Sequence, residues 1–357
     1  MDASGLVPLP DPIPVPWGWF KVLLILTFVL HLILMNLMLG GGLLAFFRLL
    51  RGGNPSREAH SLPTLIALTI NLGVPPLLFL QVLYGHLFYT SSVLMAVWWI
   101  SVIPVLIVAY YAAYGFVRQL DRGSGWPKLW LGASSLLLLA VGFMLTNNMT
   151  LMLSPERWTR HLASAGGTLL NLTEPTLFPR YLHFVTASIA VAALGGAVYH
   201  RIAARRPGGE GPTAEHGEAI ASGLKIFAVT TMVQVVLGVL FWVSLPGEIG
   251  KLFLGGSLVH SLHLWLAIVL ALLVIFTALR GRLWLTTGLA ALIIVLMVVV
   301  RDLVRSAYLA PYFQPRDLEV IPQVSPLIVF VVSLLAVVGV LVWILRRAWL
   351  ANVEVER

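Results

Sequence analysis

The chain has 357 residues, 59% of them hydrophobic and only 11% charged, with a mean hydropathy of +0.92. A soluble domain carries roughly twice that charged fraction, so this is the composition of a polytopic membrane protein. Its net charge of +8 is scattered through inter-helix loops and is no nucleic-acid footprint. The absence of cysteine excludes disulfides, iron–sulfur clusters, zinc–thiolate sites and CxxCH attachment of c-type haem.

The opening MDASGLVPLPDPIPVP is acidic and proline-rich and lacks the positive n-region of a signal peptide. Residues 1–16 are expected to stay as a short external arm. About 20 apolar residues cross a bilayer, and nine segments qualify. They run over Trp17–Leu49, Leu62–Tyr89, Val93–Val117, Pro127–Leu153, Phe178–Ala203, Ala219–Leu245, Leu258–Leu279, Leu283–Val300 and Pro326–Leu345. The expected fold is an all-α membrane helix bundle, one domain over 17–348, followed by a tail at 349–357.

Nine spans put the termini on opposite sides. Arg48, Arg51, Arg57, Arg118, Arg122, Lys128, Arg201, Arg205, Arg206, Arg280, Arg282, Arg346, Arg347 and Arg357 then share one side. Lys21, Arg157, Arg160, Arg180, Lys251, Arg301, Arg305 and Arg316 share the other. The bias of 14 against 8 puts the C-terminus in the cytoplasm and the N-terminus outside. The longest outer loops are 154–177 and 301–325, and the inner loop 205–218 reads as a flexible polar linker. The expected location is the plasma (inner) membrane.

This topology sorts the histidines. His31 lies 14 residues into the first span, about 21 Å along its axis, and so sits mid-membrane. His86 is near the outer end of the second span, His183 begins the fifth, and His260 and His263 begin the seventh. Buried imidazoles are costly in hydrocarbon unless they are paired, face water or bind something. Several in one bundle without cysteine point to b-type haem held by side chains. Each also has a plainer reading. His31 suits a hydrogen bond to a neighbouring helix, and His86, His260 and His263 suit interfacial positions. Gly40–Gly41–Gly42 after His31 would let a helix or a flat macrocycle come close.

Arg180 lies one turn before His183, where it could pair with a haem propionate or simply snorkel. Asp302 and Arg305 stand one turn apart at the outer end of the eighth span, either as a helix-end salt bridge or as an iron ligand or proton group. Met144, Met149 and Met152 are soft-ligand candidates but suit packing equally.

Together these motifs resemble subunit I of the cytochrome bd oxidase superfamily, which has nine spans and an external N-terminus. That family's first helix carries a haem-ligating histidine with Thr four residues before and Gly nine after, as at Thr27, His31 and Gly40. EPTLFPRYLH matches the family's fifth-helix frame, with Arg180 in place of its lysine and His183 in place of its ligand. Asn147–Asn148–Met149–Thr150 echoes the Asn-Ser-Trp-Met-Gln end of the fourth helix. Asp302 and Arg305 keep the spacing of the Glu and Arg on the eighth.

The departures are specific. The family's methionine ligand on helix seven is replaced in its region by His260 or His263, which implies bis-histidine coordination with His183. Only Pro246–Ser257 fills the gap where the family has its quinol loop, the Gly-Arg-Gln-Pro-Trp motif is missing, Gln81 replaces a membrane glutamate, and the third span holds no acid. The resemblance implies a b-type cytochrome of a respiratory electron-transfer chain with two or three haems, one of them high-spin and of b, d or another type. His31, His183, His263 and Asp302 would be metal ligands. Its electron donor would be a c-type cytochrome or a partner subunit, with a second membrane subunit and a quinone as further partners beside lipid. Oxygen reduction is left open. The alternatives are a haem-free, quinone-interacting anchor subunit and a transporter, the latter disfavoured by the scarcity of intramembrane acids.

Overall fold

The computed structural model describes residues 3–53, 55, 60–122, 126–164, 166–205, 211 and 213–355. Arg57, Arg206 and Arg357 of the charge tally lie outside the described residues, as do both extreme ends and the centre of the inner linker. The helices are α1 (Trp17–Leu50), α2 (Leu62–Leu94), α3 (Ala96–Arg122), α4 (Pro127–Met152), the short α5 (Trp158–Leu162), α6 (Leu177–Ala203), α7 (Ala214–Val243), the short α8 (Gly247–Lys251), α9 (Leu258–Leu279), α10 (Leu283–Leu309) and α11 (Val324–Val355). Among the described residues, nine are long and apolar enough to cross a membrane, which makes this a multi-pass membrane protein.

Local chemistry sets the helix limits. Pro127 opens α4, where its missing N–H costs nothing. Thr213 caps α7 by accepting a hydrogen bond from the His216 N–H. Gly52 (φ +79°) follows α1, and Gly281 (φ +70°) turns the chain between α9 and α10. Both adopt the left-handed backbone that favours glycine.

Packing runs from α3 and α4 to α1 and α2, across α1 to α6, and on through α7 and α9 to α10, which returns to α1 and α6. Ile103, Val108, Leu136, Val236 and Leu272 point outward, as lipid-facing side chains do. Since lipid is as apolar as leucine, association depends on close contact and interhelical polar bonds. A Cβ at Gly40 would fall inside the Ser188 carbonyl of α6, and one at Gly223 of α7 would stand 2.7 Å from the Ala193 carbonyl. Ser134 of α4 donates to the Ala109 carbonyl of α3 at 3.0 Å.

The end of the bundle that holds Lys21 is capped by chain outside the spans. The N-terminal arm is tied down there, with the Ile13 N–H on the Glu319 carbonyl (2.9 Å) and the Ile321 N–H on the Ile13 carbonyl (3.0 Å). Leu83, Leu87, Leu151, Met152, Trp158 and Leu309 are buried together beneath it. Two elements differ from sequence expectation. Helix α10 continues nine residues past Val300, so Asp302 and Arg305 lie inside it and are buried. Helix α2 leaves helical geometry at Tyr84 (φ −137°, ψ 25°), which redirects the turn that carries His86.

Candidate functional site

Charge is concentrated inside the Lys21 end. Asp302, 4% exposed, holds Lys21 Nζ of α1 at 2.8 Å on one oxygen and Arg305 Nη2 on the other. Arg305, also 4% exposed, stacks over the Tyr84 ring at the α2 kink, 4.8 Å from its centre. Arg301 lies 4.4 Å above Phe28 and Arg180 of α6 lies 5.0 Å above Phe241. Arg301 is within electrostatic reach of Arg180, Arg305 and Asp302. Nearby, Glu174 is held by Arg157 at 3.1 Å and by the Thr176 hydroxyl at 2.9 Å.

Lys21, Arg301 and Arg305 therefore share one interposed carboxylate, Asp302, while Arg180 lies within electrostatic reach of Glu174. The aromatic faces offset part of the excess but accept no N–H in its plane. Arg180 Nε and Nη2 and Arg305 Nε and Nη1 are buried without a hydrogen-bond partner. The Tyr84 and Tyr308 hydroxyls approach Arg305 and Thr176 without reaching hydrogen-bond geometry. Unspent donors of this kind are costly in a low-dielectric interior. An anion with several acceptor oxygens would satisfy them, and a pair of carboxylates would also cancel much of the charge.

The histidines fall into three settings. His31 Nδ1 lies 3.1 Å from the Thr69 carbonyl of α2, so it donates there and leaves Nε2 with the lone pair. Its ring occupies the space over Gly73, where a Cβ would stand 2.9 Å from Cε1. Arg301 is within electrostatic reach of this ring. A backbone carbonyl on Nδ1 is the outer-shell arrangement that orients metal-binding imidazoles.

His183 faces α7, near the Gln234 backbone and the bare Cα of Gly238. Its Nδ1 is buried without a partner. On α9, His263 Nδ1 donates to the Val259 carbonyl at 2.7 Å, while His260 sits 2.8 Å from the Ser257 hydroxyl and edge-on to Phe253. Helix α7 packs against both α6 and α9, and the structure shows no direct contact between His183 and either α9 histidine. His86 packs edge-on against Phe313 at 4.5 Å, its Nε2 buried and unpartnered.

Other sequence candidates are absorbed by the scaffold. The Thr27 hydroxyl donates to its own helix at Leu23 (2.7 Å). Asn147 accepts the Asn171 N–H at 3.0 Å, and Asn148 bridges Ser91 and Ser92. Met152 is core, Met149 packs against it, and Met144 accepts a weak bond from Ser101. Lys21, Tyr84 and Tyr308 were not singled out by sequence reading. A lysine one turn into the first span was the available signal for Lys21, while the tyrosines carried none.

No family model, curated protein or solved structure matches this chain. Among the described residues no group of three His, Cys, Asp or Glu could hold a metal ion, whereas a haem iron asks for one or two imidazoles. The residues present fit such a group, because orphaned buried arginine donors share one bundle with His183, one turn from Arg180, and with the mid-span His31, within electrostatic reach of Arg301.

Proposed function

We propose that the chain is an integral membrane b-type cytochrome, distantly similar to cytochrome bd oxidase subunit I, that passes electrons within a respiratory chain. The observation that carries this reading is the excess of buried cations beside His31 and His183. Arg180 shares a helix face with His183, and Arg301 lies within electrostatic reach of both Arg180 and His31. A haem brings iron for the imidazoles and two carboxylates for the arginines, and so meets both needs at once.

His31, His183 and one of His260 or His263 would hold iron. Arg180, Arg301, Arg305 and Lys21 would neutralise propionates, with Asp302 as resident counter-ion of the last three and Glu174 near Arg180. Haem, when bound, supplies one-electron redox chemistry. The chain's own part is to orient the imidazoles through the Thr69 and Val259 carbonyls and to exclude water with Leu83, Leu87 and Trp158. The positive-inside bias supports an external N-terminus in the plasma membrane, with the haems in the outer half and a c-type cytochrome or partner subunit as donor. The short Pro246–Ser257 connection, filled here by α8 and a π-turn, supports a donor other than quinol at that face.

The test is a reduced-minus-oxidised spectrum with haem stoichiometry on protein purified together with its partners, repeated for His183→Ala. Two or three b-type haems, with one low-spin signal lost in the variant, is the expected result. Protein without haem in the intact complex would overturn the proposal.

A further inference from the structure

At the end of the bundle that holds Arg48, a cavity of about 430 Å³ lies between α1, α2, α4, α6 and α7. On α1 it is lined by Leu37, Gly41, Leu44 and Arg48. These positions are four, three and four apart, and so form one stripe of the helix. The stripe covers about 16 Å along the axis, roughly half the hydrocarbon thickness of a bilayer. On α6 the lining runs from Ala192 to Ile202, about 15 Å. The cavity therefore starts near the middle of α1 and follows the helices through a single leaflet.

Its wall is mostly apolar, and its polar side chains, Arg48, Tyr199 and His200, gather toward the helix ends. That end is open, with Tyr199 46% and Ile202 56% exposed. The His200 Nδ1 lies 3.0 Å from the His216 Nδ1, a contact that joins α6 to α7 at this level. Arg48 is exposed there, as are Arg51 one turn beyond it and Arg201 next to His200. Two kinds of glycine line the wall. Gly223 is used up in close contact with the Ala193 carbonyl, whereas Gly41 and Gly196 have nothing within 4 Å of where a Cβ would stand. The first kind lets the helices approach, and the second leaves room between them.

We infer that this cavity holds one acyl chain of a resident phospholipid whose headgroup carries net negative charge, its phosphate lying against Arg48. The length selects a chain of one leaflet, and the apolar wall selects hydrocarbon. The cationic rim selects the headgroup, because a guanidinium makes paired, charge-assisted hydrogen bonds to phosphate oxygens. Basic pockets between membrane helices hold anionic headgroups on this principle. The exposure of Arg48 suits that role, since a headgroup stays in water while its chain leaves it. A partner helix, about 10 Å across, would need far more volume over the same length. The ligand is one molecule held between helices, distinct from the bulk lipid against outward side chains such as Val236 and Leu272. Its binding requires no haem.

The experiment places the full chain, purified with its partners, in phosphatidylcholine nanodiscs doped with phosphatidylglycerol that carries a diazirine in one acyl chain. After photolysis, label should concentrate on the peptides that hold Leu37–Arg48 and Ala192–Ile202. Excess unlabelled phosphatidylglycerol should displace it, and a matched phosphatidylcholine probe should label these peptides less. Gly196→Phe fills the cavity from a position with free space above it and should remove most of this label. Gly41→Leu fills it from α1 and covers the case in which the first variant fails to fold. Arg48→Gln changes an exposed side chain and so spares the fold. It should weaken binding about fivefold, the worth of one basic residue near a charged membrane surface. Label spread evenly over the outward faces of α3 and α9 would overturn the inference. So would equal labelling by the two probes, displacement by inorganic phosphate, or unchanged label in a cavity-filling variant that folds. A chain without haem that still takes the label would sink the cytochrome reading and leave this one standing.

Discussion

The two ends of the bundle are incomplete in opposite ways. At the Lys21 end the space is filled, with Trp158, Leu87 and Leu309 fully buried, but the charge is not balanced and four arginine nitrogens have no acceptor. At the Arg48 end the cations Arg48, Arg118, Arg201 and Arg280 are exposed, but about 430 Å³ is open among mostly apolar walls. One end lacks acceptors and the other lacks atoms to fill its volume. A membrane interior penalises both.

The contrast is broken most forcefully at Asp302. Its removal leaves Lys21, Arg301 and Arg305 without the carboxylate between them, and Asp302→Ala should destabilise the chain by about 3–5 kcal/mol, the range for stripping one partner from a buried ion pair. Combining it with Lys21→Met should recover part of that loss, since one uncompensated charge goes too. Denaturant or thermal unfolding in detergent reads both, and full additivity of the two changes would show that the pair does not act as a unit. Arg180→Met, by contrast, removes a buried charge with orphaned donors. It should leave the ligand-free chain as stable or more so and, on the cytochrome reading proposed above, weaken haem retention, which separates a ligand-binding arginine from a structural one.

A smaller effect is expected where adjacent glycines do different jobs. At Gly40 a side chain collides with the Ser188 carbonyl and comes within 2.8 Å of the Ala192 Cβ. Gly40→Ala should therefore cost about 1–3 kcal/mol, as overpacking does. Gly41→Ala points into open space and should change stability by no more than about 0.5 kcal/mol. Equal losses in unfolding measurements would mean that the cavity beside Gly41 closes in the membrane.

These neighbours also show how far the sequence was legible. Nine spans were readable because hydropathy is a local property, and their limits moved by only a few residues in most cases. The GGG run correctly signals close approach. Which glycine meets a helix and which faces a cavity depends on the register between α1 and α6, and no local pattern encodes that register. Asp302 and Arg305 read as a helix end because charge normally marks the membrane edge. Helix α10 runs on to Leu309 because Lys21, 281 positions earlier, neutralises the acid, and that partnership is tertiary. His31 stood out as a mid-membrane imidazole, but its pairing with Thr69 across Gly73 could not be read in one dimension. The expected coordination of one iron by His183 with His263 or His260 joins histidines on helices that both pack on α7, and spacing in sequence carries no information about how α7 sets their separation.

The smallest effect concerns His161, in α5 outside the spans. The residue is 4% exposed and its Nε2 is buried without a partner. Burial holds its pKa below the ordinary 6.5, reinforced by the neighbouring charges of Arg160 and Arg157 and opposed by a hydrogen bond to the Arg157 carbonyl. With the folded pKa depressed, the unfolded chain takes up a proton first as pH falls. His161 therefore contributes stability that is fully present above about pH 6.5 and is lost as pH drops toward its folded value. The melting temperature should decline below that point and decline less in His161→Gln, which keeps a polar side chain of comparable size without titrating. An identical pH dependence in the two proteins would show that the proton is taken up elsewhere.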